Sequence, residues 1–224
     1  MALTFETLAE DFVFLEGPRW HKGCLWVSDM WGHTIYSITE EGESTRVAEL
    51  PNRPSGLAFL PSGELIAVSM ADRKLMRVAE NGVLSEYADL STLVSADIND
   101  CVSDKDGNIY VGNFGYDLMA GADPALANLI LVTPDARTQV VAENMNFPNG
   151  MVITDDGSTL ICAETFGNVL TAFDRSADGT LSNRRLWAEL GDRTPDGICL
   201  DSEGAIWVSC FMSGEFIRLV EGGA

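Results

Sequence analysis

Four oxygen-bearing side chains recur at one point of a repeated frame: Glu16 in LEGPRW, Asn99 in DINDCV, Asn149 in FPNGMVI and Asp196 in TPDGICL. A further copy of the frame, RPSGLAF, carries Ser55 there. Two carboxylates and two carboxamides make a hard, oxygen-rich donor set if the fold brings them together. Ca2+, Mg2+ or Mn2+ suits such ligands, with water or substrate completing the shell. The chain has only two histidines, His21 and His33. A multi-histidine zinc centre is thereby excluded within one chain, and a Ser–His–Asp triad would have to use one of the two. Hydrolytic chemistry here would run on carboxylates and carboxamides. A lone Asn or Asp beside Gly is ordinarily a turn former, so the case for a common site rests on the shared register. Ser55 reads as a small filler.

The register is that of a repeat. Glu16, Ser55, Asn99, Asn149 and Asp196 are separated by 39, 44, 50 and 47 residues. A turn glycine follows each after 7 or 8 residues, at Gly23, Gly63, Gly107, Gly157 and Gly204. An apolar run comes next: CLWVSDM, ELIAVSM, NIYVGN, STLICAE and AIWVSCF. The second unit shows the whole pattern, with GLAFLP, ELIAVSM, KLMRVAE and VLSEYADL joined by turns rich in Gly, Asn and Asp. The first of these four strands is apolar throughout, which predicts burial on both faces. The last is more polar, which predicts a peripheral place. The segment LMAGADPALAN reads as a loop insertion in the third unit rather than a helix.

Four-strand repeats of this length predict an all-β chain folded as a β-propeller, with residues 1–224 forming a single domain. The first strand of each blade would line the channel, so the frame residues would converge at one of its mouths. The fifth unit supplies three strands, GICLDS, AIWVSCF and EFIRLVE, while TFETLAEDFVF precedes the first unit as a spare strand. The expected architecture is a six-bladed propeller, incomplete at the C-terminus, with about five blades present. Closing it would take about 60 more residues, at about 40–45 per blade. The unpaired edges would favour aggregation or pairing with another chain.

Composition narrows the partners. A chain of 224 residues that is 46% hydrophobic can bury a sizeable core. Its net charge of −20 repels phosphate, which argues against nucleic acid and anionic membrane. The N-terminus has no basic region followed by an apolar stretch, and no run is long enough to span a bilayer. Cys24, Cys101, Cys162, Cys199 and Cys210 form no CxxC pair and read as reduced thiols in the core of a cytoplasmic protein. His33, Asp29, Asn113 and Glu164 follow or end second strands near a channel mouth; solvated or structural roles are their ordinary reading. DKDGN, residues 104–108, has the look of a Ca2+ loop but lacks the downstream Glu, so it reads as hairpin-turn chemistry.

Taken together, EGPRW, NIYVGNFGYD, FPNGMVITDDGSTLICAET, LTAFDRSADGTLSNRRLWAEL and TPDGICLDSEGAIWVS resemble the senescence marker protein / gluconolactonase / luciferin-regenerating enzyme family along nearly the whole chain. The resemblance implies a six-bladed propeller with one divalent cation (Ca2+, Zn2+, Mn2+ or Mg2+) in its channel. It implies Glu16, Asn149 and Asp196 as metal ligands and Asn99 as a substrate contact. Asp196 would also be the proton acceptor and donor in opening a small lactone or a related ester. Many members that act on sugar lactones carry an Arg two residues before the substrate Asn. Asp97 stands there in this chain, which makes it a candidate substrate contact and puts sugar specificity in question. Two readings of other kinds stand beside this one: a non-catalytic propeller that binds metal or a partner, and a relative of strictosidine synthase or of calcium-dependent phosphotriesterases. Those last sites use more histidine. Oligomeric state is left open.

Overall fold

Turns set the architecture. Gly23, Gly63, Gly107, Gly157 and Gly204 all take positive φ, between 72° and 87°, a backbone region that L side chains rarely enter. Each closes the hairpin between the first two strands of a unit. A computed structural model describes residues 6–223. It has five antiparallel sheets. Blade 1 holds β1 (Leu15–His21), β2 (Cys24–Asp29), β3 (Thr34–Thr39) and β4 (Ser44–Glu49). Blade 2 holds β5 (Pro54–Phe59), β6 (Leu65–Ser69), β7 (Lys74–Val78) and β8 (Leu84–Asp89). Blade 3 holds β9 (Ile98–Ser103), β10 (Ile109–Asn113), β11 (Ala127–Val132) and β12 (Thr138–Met145). Blade 4 holds β13 (Pro148–Ile153), β14 (Thr159–Glu164), β15 (Val169–Arg175) and β16 (Leu181–Glu189). Blade 5 holds β17 (Pro195–Leu200), β18 (Ile206–Cys210) and β19 (Glu215–Leu219). The chain is an all-β propeller of five blades, and the loop after β10 carries the LMAGADPALAN insertion without a helix.

The inner strands of blades 2, 3 and 4 are buried as expected, whereas β1 and β17 are largely accessible. β5 and β13 are buried at five of six positions, whereas the outer strand β8 is mostly open. Every blade repeats one irregularity. Register with the second strand shifts between Glu16 and Arg19, Pro54 and Leu57, Ile98 and Cys101, Pro148 and Met151, and Pro195 and Ile198. The repeated frame, Pro-x-Gly in blades 2, 4 and 5, is thus a β-bulge, which bends a strand and re-aims a side chain.

Apolar clusters fill the wedges between blades. Ile35, Leu50 and Leu57 join blades 1 and 2, while Val68, Leu75 and Ile109 join blades 2 and 3. Tyr110, Leu129 and Leu160 join blades 3 and 4, while Ile161, Trp187 and Ile206 join blades 4 and 5. Polar staples reinforce them. Arg175 of blade 4 pairs with Asp104 of blade 3, both buried. Asp104 also accepts the backbone amides of Asp106 and Asn108. Its oxygens are therefore spent on the turn and the ion pair, so DKDGN is hairpin chemistry.

The ring has one open side. Inner strands pack in the order β1–β5, β5–β9, β9–β13 and β13–β17; among the described residues no comparable packing joins β17 to β1. A Cβ on Gly150 would lie 2.5 Å from the Asp196 carbonyl oxygen, and one on Gly56 would lie 2.5 Å from the Cys101 amide nitrogen. The equivalent Gly197 meets nothing within 4 Å. Side chains at this opening are bare: Phe216 is 70% exposed and Trp20 59%. Two expectations change here. The N-terminal segment is not a spare strand over residues 6–14; residues 4 and 5 lie outside the described residues. The Val13 and Phe14 amides donate to Asp29 at 2.9 Å instead of to a strand, and Phe12 packs edge-on against Tyr36 of blade 1. The cysteines are all free, but Cys199 is exposed because β17 faces the opening, and Cys24 is only half-buried.

The two glycines give a paired test. Gly150→Ala should cost about 1–3 kcal/mol through overpacking against β17. Gly197→Ala, whose φ an alanine accepts, should stay within about 0.5 kcal/mol of the parent. Urea unfolding of both variants measures the difference, and equal costs would mean that the β17 side is closed.

Candidate active site

The bulges bring the frame residues to the axis. Glu16, Asn149 and Asp196 line one cavity of about 420 Å3, together with Asp100 and, on the open side, Trp207 and Phe216. Two carboxylates from blades 1 and 5 and one carboxamide from blade 4 thus meet across nearly the whole sequence. Asn99 does not line this cavity. It is buried beside it, and its Nδ2 donates to Asn149 Oδ1 at 2.9 Å. Asp97 sits apart, paired with Arg53 of blade 2. Arg53 occupies the same frame position as Asp97, one blade earlier, and its guanidinium lies 5.5 Å from the centroid of the Trp31 ring. A cation therefore stands next to the position where the sequence alone places only Asp97.

Ser55 is more than filler. Its Oγ donates to Asn99 Oδ1 at 3.3 Å, and its carbonyl accepts from Ser28 Oγ at 2.6 Å. On the other side Asn149 Nδ2 donates to Thr165 Oγ1 at 3.1 Å, and Thr165 Oγ1 donates to the Pro195 carbonyl at 2.8 Å. One hydrogen-bonded circuit runs from blade 1 to blade 5 through the frame residues.

Asp100 and Arg19 belong to the same centre, although neither stands out in the sequence. Arg19 Nη2 donates to Asp100 Oδ1 at 2.8 Å and to the Cys101 carbonyl at 2.6 Å, so blade 1 reaches blade 3 across the axis. Strand alternation would point Asp100 away from Asn99. The bulge between Ile98 and Cys101 breaks that alternation. The residues ending the second strands are structural. Asp29 holds the segment before β1, and Asn113 bonds the Asn128 carbonyl and the Gly115 amide. Glu164 accepts from the Asn146 amide, Thr171 and Arg184. The His33 carbonyl accepts the Leu50 amide.

Charge at the centre is unbalanced. Burial, and then the charges of Asp196 and Asp100, push the Glu16 carboxyl up to about 8. Burial and Asp100 raise Asp196 to about 6, while the Asn149 side chain pulls the other way. Arg19 is committed to Asp100. Desolvated carboxylates without a cation of their own, beside an amide oxygen, fit a hard divalent ion on the chemistry of the donor set. The set is lean: among the described residues no group of three or more His, Cys, Asp or Glu side chains is arranged to hold a metal. A cation here would take Glu16 and Asp196 as its charged ligands, the Asn149 oxygen as a neutral one, and water for the rest.

A propeller whose axis gathers acids and carboxamides from four of its blades is a recognisable class, and comparison with known proteins places the chain within it. Residues 14–224 match the SMP-30/Gluconolactonase/LRE-like region family, and the chain belongs to that family. It is 26% identical to regucalcin of Danio rerio over 218 residues, 91% of this chain and 70% of that protein. It is 26% identical to lactonase drp35 of Staphylococcus aureus over 219 residues, 91% of this chain and 65% of that protein. A gluconolactonase structure from Xanthomonas campestris superposes with a TM-score of 0.78 at 25% identity, covering 97% of this chain and 80% of that one. Among the described residues no helix is long and apolar enough to cross a membrane.

The raised carboxyls predict a pH effect on the cation-free protein. A carboxyl with a raised folded-state pKa holds a proton that the unfolded chain has already released, so stability falls as pH rises between the two values. That window runs from 4.5 to about 8 for Glu16 and from 3.8 to about 6 for Asp196. At about 1.4 kcal/mol per pKa unit the loss is of order a few kcal/mol. Calorimetry without divalent ions should show a melting temperature that falls across this window. Glu16→Gln should flatten the fall.

Proposed function

We propose that this chain is a divalent-cation-assisted hydrolase that opens a small lactone or a related ester. The observation that supports it most is the convergence of Glu16, Asn149 and Asp196 on one cavity beside uncompensated negative charge. Membership of a family that includes gluconolactonases, and likeness to a lactonase, point the same way.

Glu16, Asn149 and Asp196 would hold the cation, either Ca2+, Mg2+, Mn2+ or Zn2+. Such an ion, when bound, polarises a carbonyl and stabilises oxyanion charge. The remaining work falls to the chain. Asp196 takes a proton from the attacking water as the carbon–oxygen bond forms. It returns that proton to the alkoxide as the ring ester bond breaks, which leaves a hydroxy acid. Asn99, the expected substrate contact, is fixed between Ser55 and Asn149 behind the cavity and would act on the ring through Asn149. Asp97, outside this cavity, would meet substrate as half of an ion pair with Arg53, not as a bare acid. All five thiols are free, which accords with a cytoplasmic setting.

The same reading would close the ring with a sixth blade against the open side of blade 5, where Gly197 of β17 meets nothing within 4 Å and Phe216 of β19 is bare. A second reading, a non-catalytic propeller that binds metal or a partner, is favoured by one observation: the cavity opens sideways past Trp207 and Phe216.

The test is a panel of γ- and δ-lactones followed by acid release. Turnover should vanish with chelator and return with added Ca2+, Mn2+ or Zn2+. Asp196→Asn should lose about 10²–10⁴-fold in kcat, the usual worth of a general base. Full activity in that variant rejects the mechanism, and cation binding without turnover selects the second reading.

A further inference from the structure

Asn149 can serve a cation only through oxygen, yet its side chain carries an NH2 of nearly the same shape. Something must decide which end faces the ion. The deciding group can be traced from a backbone carbonyl, which only accepts. Pro195 O accepts from Thr165 Oγ1 at 2.8 Å, so the Thr165 hydroxyl proton is used there. Thr165 Oγ1 must then act as acceptor towards Asn149, which turns Nδ2 to Thr165 at 3.1 Å. Oδ1 is left on the opposite side, where it takes the Asn99 Nδ2 proton at 2.9 Å with one lone pair. Its second lone pair has no protein donor among the described residues. The direction propagates: Asn99 Oδ1 becomes the acceptor for Ser55 Oγ at 3.3 Å. Thr165 is buried, and it sits just beyond β14 in the turn Thr165–Gly167. Its second partner is the carbonyl immediately before Asp196, so one hydroxyl is tied to two of the candidate ligands.

We propose that Thr165 is a positioning residue. Its hydroxyl, anchored on the Pro195 carbonyl, locks the Asn149 carboxamide with oxygen free for a divalent cation, and it holds the backbone of blade 5 at the residue before Asp196. The cation half of this assignment rests on the hydrolase reading above. The orientation half does not.

Two measurements separate these halves. In 15N-labelled wild-type protein the Asn149 Nδ2 proton donated to Thr165 should exchange slowly with solvent, because it lies in a buried circuit. A rapidly exchanging, unprotected Asn149 amide overturns the assignment with no variant needed. Calorimetric titration with Ca2+ and with Mn2+ then compares Thr165→Val, isosteric but unable to hydrogen bond, with Thr165→Ser, which keeps the hydroxyl. Thr165→Val should weaken binding by about 10–100-fold, as expected for loss of a residue that orients a ligand. Thr165→Ser should restore affinity close to the parent value. A purely structural role would lower the melting temperature of Thr165→Val without this split in affinity. Binding by Thr165→Val within about twofold of wild type overturns the proposal. Failure of the wild-type protein to bind either ion rejects the cation reading, and amide exchange still decides the orientation.

Discussion

At the propeller axis the inner strands of blades 1, 2 and 4 pass so close to the next strand that no side chain fits between them, while blade 3 carries Asp100 at the equivalent position. A Cβ on Gly17 would lie 2.6 Å from the Ser55 carbonyl oxygen, and one on Gly150 2.5 Å from that of Asp196. Glycine relieves this contact, and the bulge it permits turns the preceding residue to the axis. The rest of the centre depends on that approach. It lets Ser55, Asn99, Asn149 and Thr165 bond from blade to blade, and it buries Glu16 and Asp196 in one cavity.

Burial then creates the chemical problem that the site uses. Carboxylates taken out of water and placed near one another resist ionisation, as the raised Glu16 and Asp196 carboxyls show. Arg19 answers one acid, Asp100, and leaves two unanswered. A hard divalent cation is the natural complement, and it would restore both acids to their charged forms. Arg53 comes from the blade next to the one that carries Asp97, and the pair places a guanidinium where Asp97 alone would have offered only negative charge.

Much of the fold is legible in sequence because a propeller repeats itself. The frame residue, the turn glycine and the apolar run keep step in all five units, and the strands fall where those landmarks put them. Glu16, Asn149 and Asp196 are legible for the same reason. What period alone misses is carried by exceptions to period. Asp100 escapes notice because strand alternation sends it away from Asn99, and only the bulge reverses that. Ser55 looks inert because a hydroxyl shows its value only when its acceptor is in view. The N-terminal segment reads as a strand from its apolar residues, yet Asp29 captures its amides first.

The sequence by itself determined the all-β repeat, the residues aimed at the axis and their chemical type, since these follow from spacing and side-chain identity. Only the tertiary structure decided which of them meet and how they are oriented. Asn149 shares a cavity with Glu16 and Asp196 while Asn99 stands behind it, and Asp97 is drawn to Arg53. The direction of each hydrogen bond was likewise out of the sequence's reach. It is set by the Pro195 carbonyl, an acceptor that only the packing of blade 4 on blade 5 brings within reach of Thr165.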